Sequence, residues 1–212
     1  MSSSDVGDPS VDAETDRRTL VLDSAMTTFA RYGYRKTSMD EVARAARISR
    51  PGLYFLFSSK EALFRAAATQ ALERDIMAVE QVLTAGSGSP GGRTRATSPL
   101  AERLVEAFDH WAGRYVGPAA GDVPEVVADN PHLLGEIAET TRRRFEELVT
   151  DALAAECGRK RAVLVAQTLI STSIGLKHQV TSREVYLTRL RTAVDLLVHR
   201  APSAGTAPGS AR

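Results

Sequence analysis

The feature that most constrains this chain is the stretch Ser38–Glu61, in which helix starts and stops follow one another at short intervals. Ser38 and Glu41 have the spacing of a capping box, which starts a helix by satisfying two free backbone N–H groups. Ser49 is a suitable N-cap for a second helix, and Pro51 stands in its first turn, where a missing N–H costs nothing. Ser58 and Glu61 have the same capping-box spacing at the end of the stretch and would start a further helix. We therefore predict two short helices joined by a tight turn and followed by a third helix.

The charges of this stretch indicate what the two short helices bind. From Val42 to Lys60 the sequence has three arginines, one lysine and no acidic residue, a local net charge of +4. Gly52 occupies the position at which the flanking helices carry a glutamate. A helix start with no acid and a nearby arginine favours an anion. We interpret the stretch as a helix-turn-helix that places its second helix in the major groove of DNA. The alternative is an ordinary surface helical hairpin.

The residues around this helix-turn-helix resemble the DNA-binding domain of TetR-family transcriptional regulators. The resemblance covers about residues 16–65 and rests on Thr37–Ala46, Ile48-Ser49, Leu53–Phe57 and Ser59–Leu63. It implies an N-terminal three-helix helix-turn-helix DNA-binding domain and a C-terminal helical domain for ligand binding and dimerisation.

Three positions differ from the usual family pattern. Arg47 stands where the family generally has a glycine in the turn, Pro51-Gly52 replaces a more common Gly-Thr or Gly-Ser, and Leu56 replaces a frequent histidine. A left-handed backbone at Arg47 would cost roughly 1 kcal/mol more than at a glycine, and a phosphate contact could compensate for this cost. The differences bear on the operator sequence and leave the predicted fold unchanged.

The resemblance and the helix geometry together assign the DNA-binding residues. Lys60 and Tyr54 match family positions that hold the DNA backbone. Among the candidates for the side that faces the base pairs, Arg50 has the planar fork suited to guanine. The predicted DNA-binding residues are Thr37, Ser38, Arg47, Ser49, Arg50, Gly52, Tyr54, Phe55 and Lys60.

The whole chain is predicted to be all-α. Residues 1–13 and 201–212 are predicted to be a disordered arm and a disordered tail, because both are rich in small and polar residues. The helix-turn-helix domain would cover residues 14–62, and a helical regulatory and dimerisation domain would cover residues 63–200. Apart from the two short helices, helices are predicted at about 15–32, 58–83, 99–116, 132–156, 159–180 and 182–200.

Aromatic residues at helical spacing suggest a small-molecule site in the second domain. They lie in the predicted helix at about 99–116, and the helix at about 159–180 has a half-polar face. If these faces meet, they form an apolar cavity with a few polar groups, which would suit a neutral or weakly polar, hydrophobic effector. The alternative is that the aromatic side chains simply fill the core. The candidate ligand-binding residues are Phe108, Trp111, Tyr115, Gln167, Ser171 and His178.

The last two predicted helices suggest a dimer interface. Two adjacent apolar helices at the end of the chain resemble the family's interface, a four-helix bundle built from two helices of each subunit. The residues predicted to lie between the subunits are Val163, Ile170, Leu190, Val194 and Leu197.

These features predict a ligand-responsive transcriptional regulator, most often a repressor among the proteins that the chain resembles. It would bind a pseudo-palindromic operator as a homodimer, with half-sites about 34–36 Å apart or a multiple of that distance. The alternative is a DNA-binding dimer that is controlled by a protein partner and has no small-molecule ligand.

Composition argues against other classes of protein. Hydrophobic residues make up 43% and charged residues 25% of the chain, as in ordinary globular proteins. The single Cys157 permits no disulfide within the chain, and no apolar run reaches about 18 residues, so we expect a cytoplasmic location without a membrane partner. The sequence has no motif of catalytic or metal-binding residues, so neither an enzyme nor a cofactor is expected.

Overall fold

The computed structural model describes residues 9–85, 99–117, 126 and 130–198, and these ranges contain only helices and their connections. The all-α prediction is therefore confirmed for the described part of the chain. In chain order the helices are α1 Pro9–Tyr32, α2 Met39–Ala45, α3 Arg50–Leu56, α4 Lys60–Thr84, α5 Pro99–Trp111, a short 3-10 helix Gly113–Tyr115, α6 Pro131–Leu134, α7 Ile137–Cys157, α8 Arg159–Gln179 and α9 Arg183–Val198.

The helices belong to two compact units that are not continuous in sequence. The head unit consists of Met1–Asp75 and Pro118–Arg142, and the body unit consists of Ile76–Gly117 and Arg143–Arg212. The head unit therefore extends past residue 62, where the sequence predicted a domain boundary, and it also includes α6.

Helices α1 to α4 of the head unit share one apolar core. The ring of Phe64 meets Phe29 edge-on at 5.2 Å and lies 5.0 Å from the ring of Tyr34. Val42 of α2 and Leu53 of α3 are fully buried in the same cluster. Burying one such side chain contributes about 1.5–3 kcal/mol, so this shared core holds the two short helices together.

The ends of α1 show which local predictions were accurate. The predicted end near residue 32 is confirmed: α1 ends at Tyr32, and Gly33 follows with a φ of 80° and an N–H that donates to the carbonyl of Phe29 at 2.8 Å. The start lies earlier than the predicted Thr15, at Pro9, a residue that suits the first turn because it lacks an N–H. The predicted arm is thus helical over residues 9–13. Its residues 1–8 and the predicted tail at 201–212 lie outside the described residues.

Aromatic side chains organise the core of the body unit. The indole of Trp111 stacks on the ring of Phe145 at 4.6 Å with an interplanar angle of 10°, and Phe108 meets Phe145 edge-on at 5.1 Å. Phe108 and Phe145 are buried among side chains of α5, α7, α8 and α9. These rings therefore form the centre of the body unit.

Just after α5, which ends before the predicted Val116, the chain passes close to a buried tyrosine. Tyr186 is fully buried and shares a 2.8 Å hydrogen bond with the hydroxyl of Ser173. A Cβ atom at residue 113 would lie 2.9 Å from the Tyr186 ring, so the chain passes this ring at Gly113, where the 3-10 helix begins. Burial raises the pKa of Tyr186 to about 12.

Ion pairs occupy the exposed face of α7. Arg142 pairs with Glu139 at 2.8 Å, and Arg144 lies 3.8 Å from Glu147. Arg144 also pairs with Glu80 of α4 at 2.6 Å. The arginine run of α7 therefore serves mainly surface ion pairs.

None of the helices in the described ranges combines the length and the apolarity that a membrane span needs.

Candidate nucleic-acid interface

Helix α2 begins at the predicted capping box. The Ser38 hydroxyl accepts a hydrogen bond from the Glu41 backbone N–H at 3.2 Å, and the Glu41 carboxylate accepts one from the Ser38 N–H at 2.7 Å. This second bond and a further one from the Ser38 hydroxyl lower the pKa of Glu41. The reciprocal bonds fix the start of α2 at the surface of the head unit.

The turn after α2 depends on a left-handed arginine. Arg47 has a φ of 55°, and it is the one non-glycine residue with a positive φ in the described part of the chain. The N–H of Ile48 donates to the Ala43 carbonyl at 3.0 Å, and the N–H of Arg47 donates to the Arg44 carbonyl at 3.2 Å. These two bonds form a Schellman motif, in which glycine is the usual left-handed residue. The Arg47 side chain is exposed beside α3.

Helix α3 is a short, capped helix with one buried and one open side. The Ser49 hydroxyl accepts a bond from the Gly52 N–H at 3.1 Å and caps the helix as predicted. Leu53 faces the core, whereas Tyr54 is 42% exposed and Phe55 is 86% exposed. Helix α3 therefore presents aromatic side chains to the solvent from a core-anchored backbone.

Arg50, the predicted guanine reader, already has a partner in the head unit. Its Nε lies 3.0 Å from Oδ1 of Asp40, and its Nη1 donates to Oδ2 of Asp40 at 3.3 Å. Its guanidinium also lies 5.7 Å from the centre of the Tyr54 ring. Both charged groups are about half exposed, so the pair is weak and Arg50 could exchange it for another contact. Sequence reasoning missed Asp40 because no helical spacing connects positions 40 and 50 across the turn.

Lys60 and Thr37 have internal roles that the sequence did not predict. The Lys60 ammonium donates to the carbonyls of Tyr34 and Thr37 at 3.1 Å each and to that of Arg35 at 3.5 Å. The Thr37 hydroxyl is buried and donates to the Gly33 carbonyl at 2.8 Å. Because an ammonium group has three donors, Lys60 is fully engaged with the loop before α2. Its contact with the DNA backbone stays a prediction.

Arg18 of α1 also supports α3. Its guanidinium lies 4.4 Å from the centre of the Phe57 ring, and its Nη1 donates to the Leu56 carbonyl at 3.4 Å. Arg18 therefore lies at the C-terminal end of α3, where a cation suits the helix dipole.

An exposed basic and aromatic surface remains around the helix-turn-helix. Arg35 and Lys36 in the loop before α2 and Arg47 in the turn are all exposed. No ion pair of these three side chains occurs among the described residues. Together with Tyr54 and Phe55 on α3, they form the candidate nucleic-acid interface.

The predicted ligand site is not assembled in the body unit. Phe108 is buried and Trp111 packs on Phe145, whereas Gln167, Ser171 and His178 are exposed on α8. Tyr115 lies in the 3-10 helix, and the side-chain amide of Gln167 donates to Glu146 at 3.0 Å. These two faces therefore do not meet within the described part of a single chain. The aromatic side chains fill the core because α8 turns a different face towards them, which includes Ala166, Leu169 and Ser173.

Two of the residues that were predicted to lie in the dimer interface are buried inside a single chain instead. Leu190 and Val194 of α9 have no exposed surface within a single chain, so they cannot lie between subunits. Val163, Ile170 and Leu197 are half-buried, and their contact with a second subunit stays a prediction. The error arose because the apolar side of α9 faces α5 and α8 of its own chain.

Another set of apolar side chains is exposed on the last two helices. Leu164 and Ile174 of α8 are 66% and 54% exposed, and Val185 and Leu196 of α9 are 44% and 51% exposed. Helices α8 and α9 pack against each other. Four large apolar side chains on one pair of helices are typical of a protein contact surface.

Comparison with known proteins gives matches to one group of regulators. The family model described as bacterial regulatory proteins, tetR family, matches residues 21–67. The transcriptional regulator YuxN of Bacillus subtilis is 27% identical over 94 residues, which cover 44% of this chain and 32% of YuxN. The chain therefore spans about a third of the length of that relative.

Longer matches extend beyond the helix-turn-helix. The nicotine-responsive transcriptional repressor HdnoR of Paenarthrobacter nicotinovorans is 24% identical over 163 residues, which cover 73% of this chain and 76% of HdnoR. A TetR-like regulator from Rhodococcus sp. superposes with a TM-score of 0.62 at 22% identity, covering 87% of this chain and 97% of that chain, which shows a shared fold. Residues 21–67 thus match the tetR family of bacterial regulatory proteins, and the chain as a whole shares the fold of a TetR-like regulator.

Proposed function

We propose that the chain is a transcriptional repressor that binds a pseudo-palindromic operator as a homodimer and responds to a small-molecule effector. The observation that carries this proposal is the helix-turn-helix itself. Its turn and its second helix expose Arg47, Tyr54 and Phe55 while their backbone is anchored in the core of the head unit.

The electrostatics of the head unit support a DNA partner. The exposed cations Arg35, Lys36 and Arg47 lie in the two loops that flank α2. Cations that neutralise phosphates make the affinity for DNA fall as salt is raised. Each phosphate contact adds about 0.9 to the slope of log affinity on log salt. A surface of this kind suits a polyanion better than an uncharged partner.

The exposed apolar surface of α8 and α9 supports the homodimer. Leaving Leu164, Ile174, Val185 and Leu196 in water is unfavourable, and a second copy would cover them. Dimerisation through this surface would pair two helix-turn-helices, and half-sites one DNA turn apart, about 34–36 Å, would match them.

The relatives support the repressor role and the effector. HdnoR is named as a nicotine-responsive repressor, and another relative of this chain is named as the A-factor receptor protein of Streptomyces griseus. We therefore propose an organic effector that lowers the affinity for the operator by binding the DNA-free form more tightly.

Selection of DNA from a random duplex library tests the first part of the proposal. The full chain should enrich a sequence with two-fold symmetry, and its affinity for that sequence should fall as salt is raised. A library that yields no enriched sequence would contradict the proposal.

Light scattering on charged variants tests the second part. Ile174→Arg places a charge on the proposed dimer surface and should give a monomer that has lost operator affinity. Met77→Arg is the matched control, because Met77 of α4 is also 54% exposed but lies outside α8 and α9. If Ile174→Arg remains a dimer, the proposed surface is incorrect.

A further inference from the structure

We propose that Phe55 determines operator specificity by contacting the C5 methyl group of a thymine in the major groove. This inference rests on the proposed DNA-binding function and names a chemical group that α3 would recognise.

Phe55 is exposed to an extent that folding does not explain. Its exposed fraction is 86%, whereas Phe57, two residues later, is 3% exposed and Phe64 of the same core has no exposed surface. The head unit therefore has a complete core without this ring. A phenyl ring in water is unfavourable, so a contact made outside the folded chain accounts for it better than packing does.

The helix surface around Phe55 offers apolar contacts only. Its neighbours one turn earlier on the same side of α3 are Pro51 and Gly52, which have no side-chain donor or acceptor. Arg50, the charged residue of the helix, is paired with Asp40. Pro51, Gly52 and Phe55 therefore offer no side-chain hydrogen bond to a base.

The thymine methyl group matches this surface. In the major groove T is the only one of the four standard bases that presents an apolar methyl group, at C5. The exposed cations Arg35, Lys36 and Arg47 lie in the two loops that flank α2, in the same unit as Phe55, and they favour a polyanionic partner over an apolar protein surface. The combination of an exposed phenyl ring with exposed cations on the head unit thus points to thymine in duplex DNA.

Replacing thymine with deoxyuridine tests the proposal because it removes only the methyl group. Duplexes selected by the wild-type protein would be substituted at one thymine at a time, and affinity would be measured by fluorescence anisotropy at fixed salt. At one thymine of each half-site the affinity should fall about fourfold, the factor that corresponds to burying one methyl group. This measurement uses the unaltered protein, so it does not depend on the folding of a variant.

Phe55→Ala should bind the thymine and deoxyuridine duplexes equally. Leu20→Ala is the matched control, because Leu20 of α1 is also a largely exposed apolar residue of the head unit, and this variant should keep the discrimination. The proposal is overturned if the wild-type protein binds selected DNA with no methyl-dependent position, or if Phe55→Ala keeps the full discrimination. Failure to select any DNA would overturn the proposed function and this inference with it.

Discussion

Replacing Arg47 with glycine should stabilise the head unit while weakening its binding to DNA. Arg47 has a φ of 55°, and the left-handed region costs a residue with a Cβ about 1–2 kcal/mol relative to glycine. The greater freedom of glycine in the unfolded chain offsets about 0.5–1 kcal/mol of this gain. The net effect is a stabilisation of about 0.5–1 kcal/mol, or about 1–4 °C in Tm for a chain of this size.

The backbone bonds of the turn should survive the substitution. The Ile48 N–H bond to the Ala43 carbonyl at 3.0 Å involves no side chain, and the exposed Arg47 side chain makes no ion pair among the described residues. The stability change therefore reports the strain at residue 47. Arg47→Ala is the matched control, because it removes the same charge but keeps the Cβ and should gain no stability.

Two measurements separate strain from DNA contact at Arg47. Thermal unfolding should rank the glycine variant above both the alanine variant and the wild type. Binding at several salt concentrations should show that both variants lose about 0.9 from the slope of log affinity on log salt, the amount for one phosphate contact. Equal melting temperatures of the two variants would refute the strain argument, and an unchanged slope would exclude Arg47 from the interface.

Three further predictions concern internal contacts. Lys60→Ala should lower the free energy of unfolding by about 1–3 kcal/mol, because loop carbonyls lose their donor; a flatter salt slope at unchanged stability would contradict this role. Trp111→Ala should cost less than the roughly 3–5 kcal/mol of a fully buried aromatic ring, because Trp111 is half-buried, and this loss should show in denaturant unfolding through the lost stacking on Phe145. An unchanged midpoint would contradict its core role. Tyr186 has a folded pKa of about 12, above the value near 10 of an unfolded tyrosine. The stability that the protonated Tyr186 contributes is therefore fully present below about pH 10 and is lost as pH rises through about 12. Tyr186→Phe should not lose this stability as pH rises, and melting temperatures of the wild type and the variant from about pH 8 to about pH 11 would show the difference. If the melting temperatures of both proteins fall in parallel, Tyr186 is not the group responsible.

The candidate interface was partly predictable because its framework is local. The Ser38–Glu41 capping box, the Ser49 cap and the left-handed turn at Arg47 all depend on residues within about one helical turn, and all are present in the structure. The partners of the charged side chains were not predictable in this way. Asp40 reaches Arg50 across the turn, and Lys60 returns to the loop before α2, at separations that have no fixed period in sequence.

The sequence by itself determined the helical fold, the helix-turn-helix and the chemistry of its exposed surface, because caps, apolar spacing and local charge act between near neighbours in the chain. Only the tertiary structure decided which helix faces meet. Leu190 and Val194 carry the same apolar pattern that an interface helix would carry, yet they are buried inside one chain, while Leu164 and Ile174 remain exposed. Apolar spacing identifies a buried face, but the neighbour that covers it depends on packing between elements far apart in sequence.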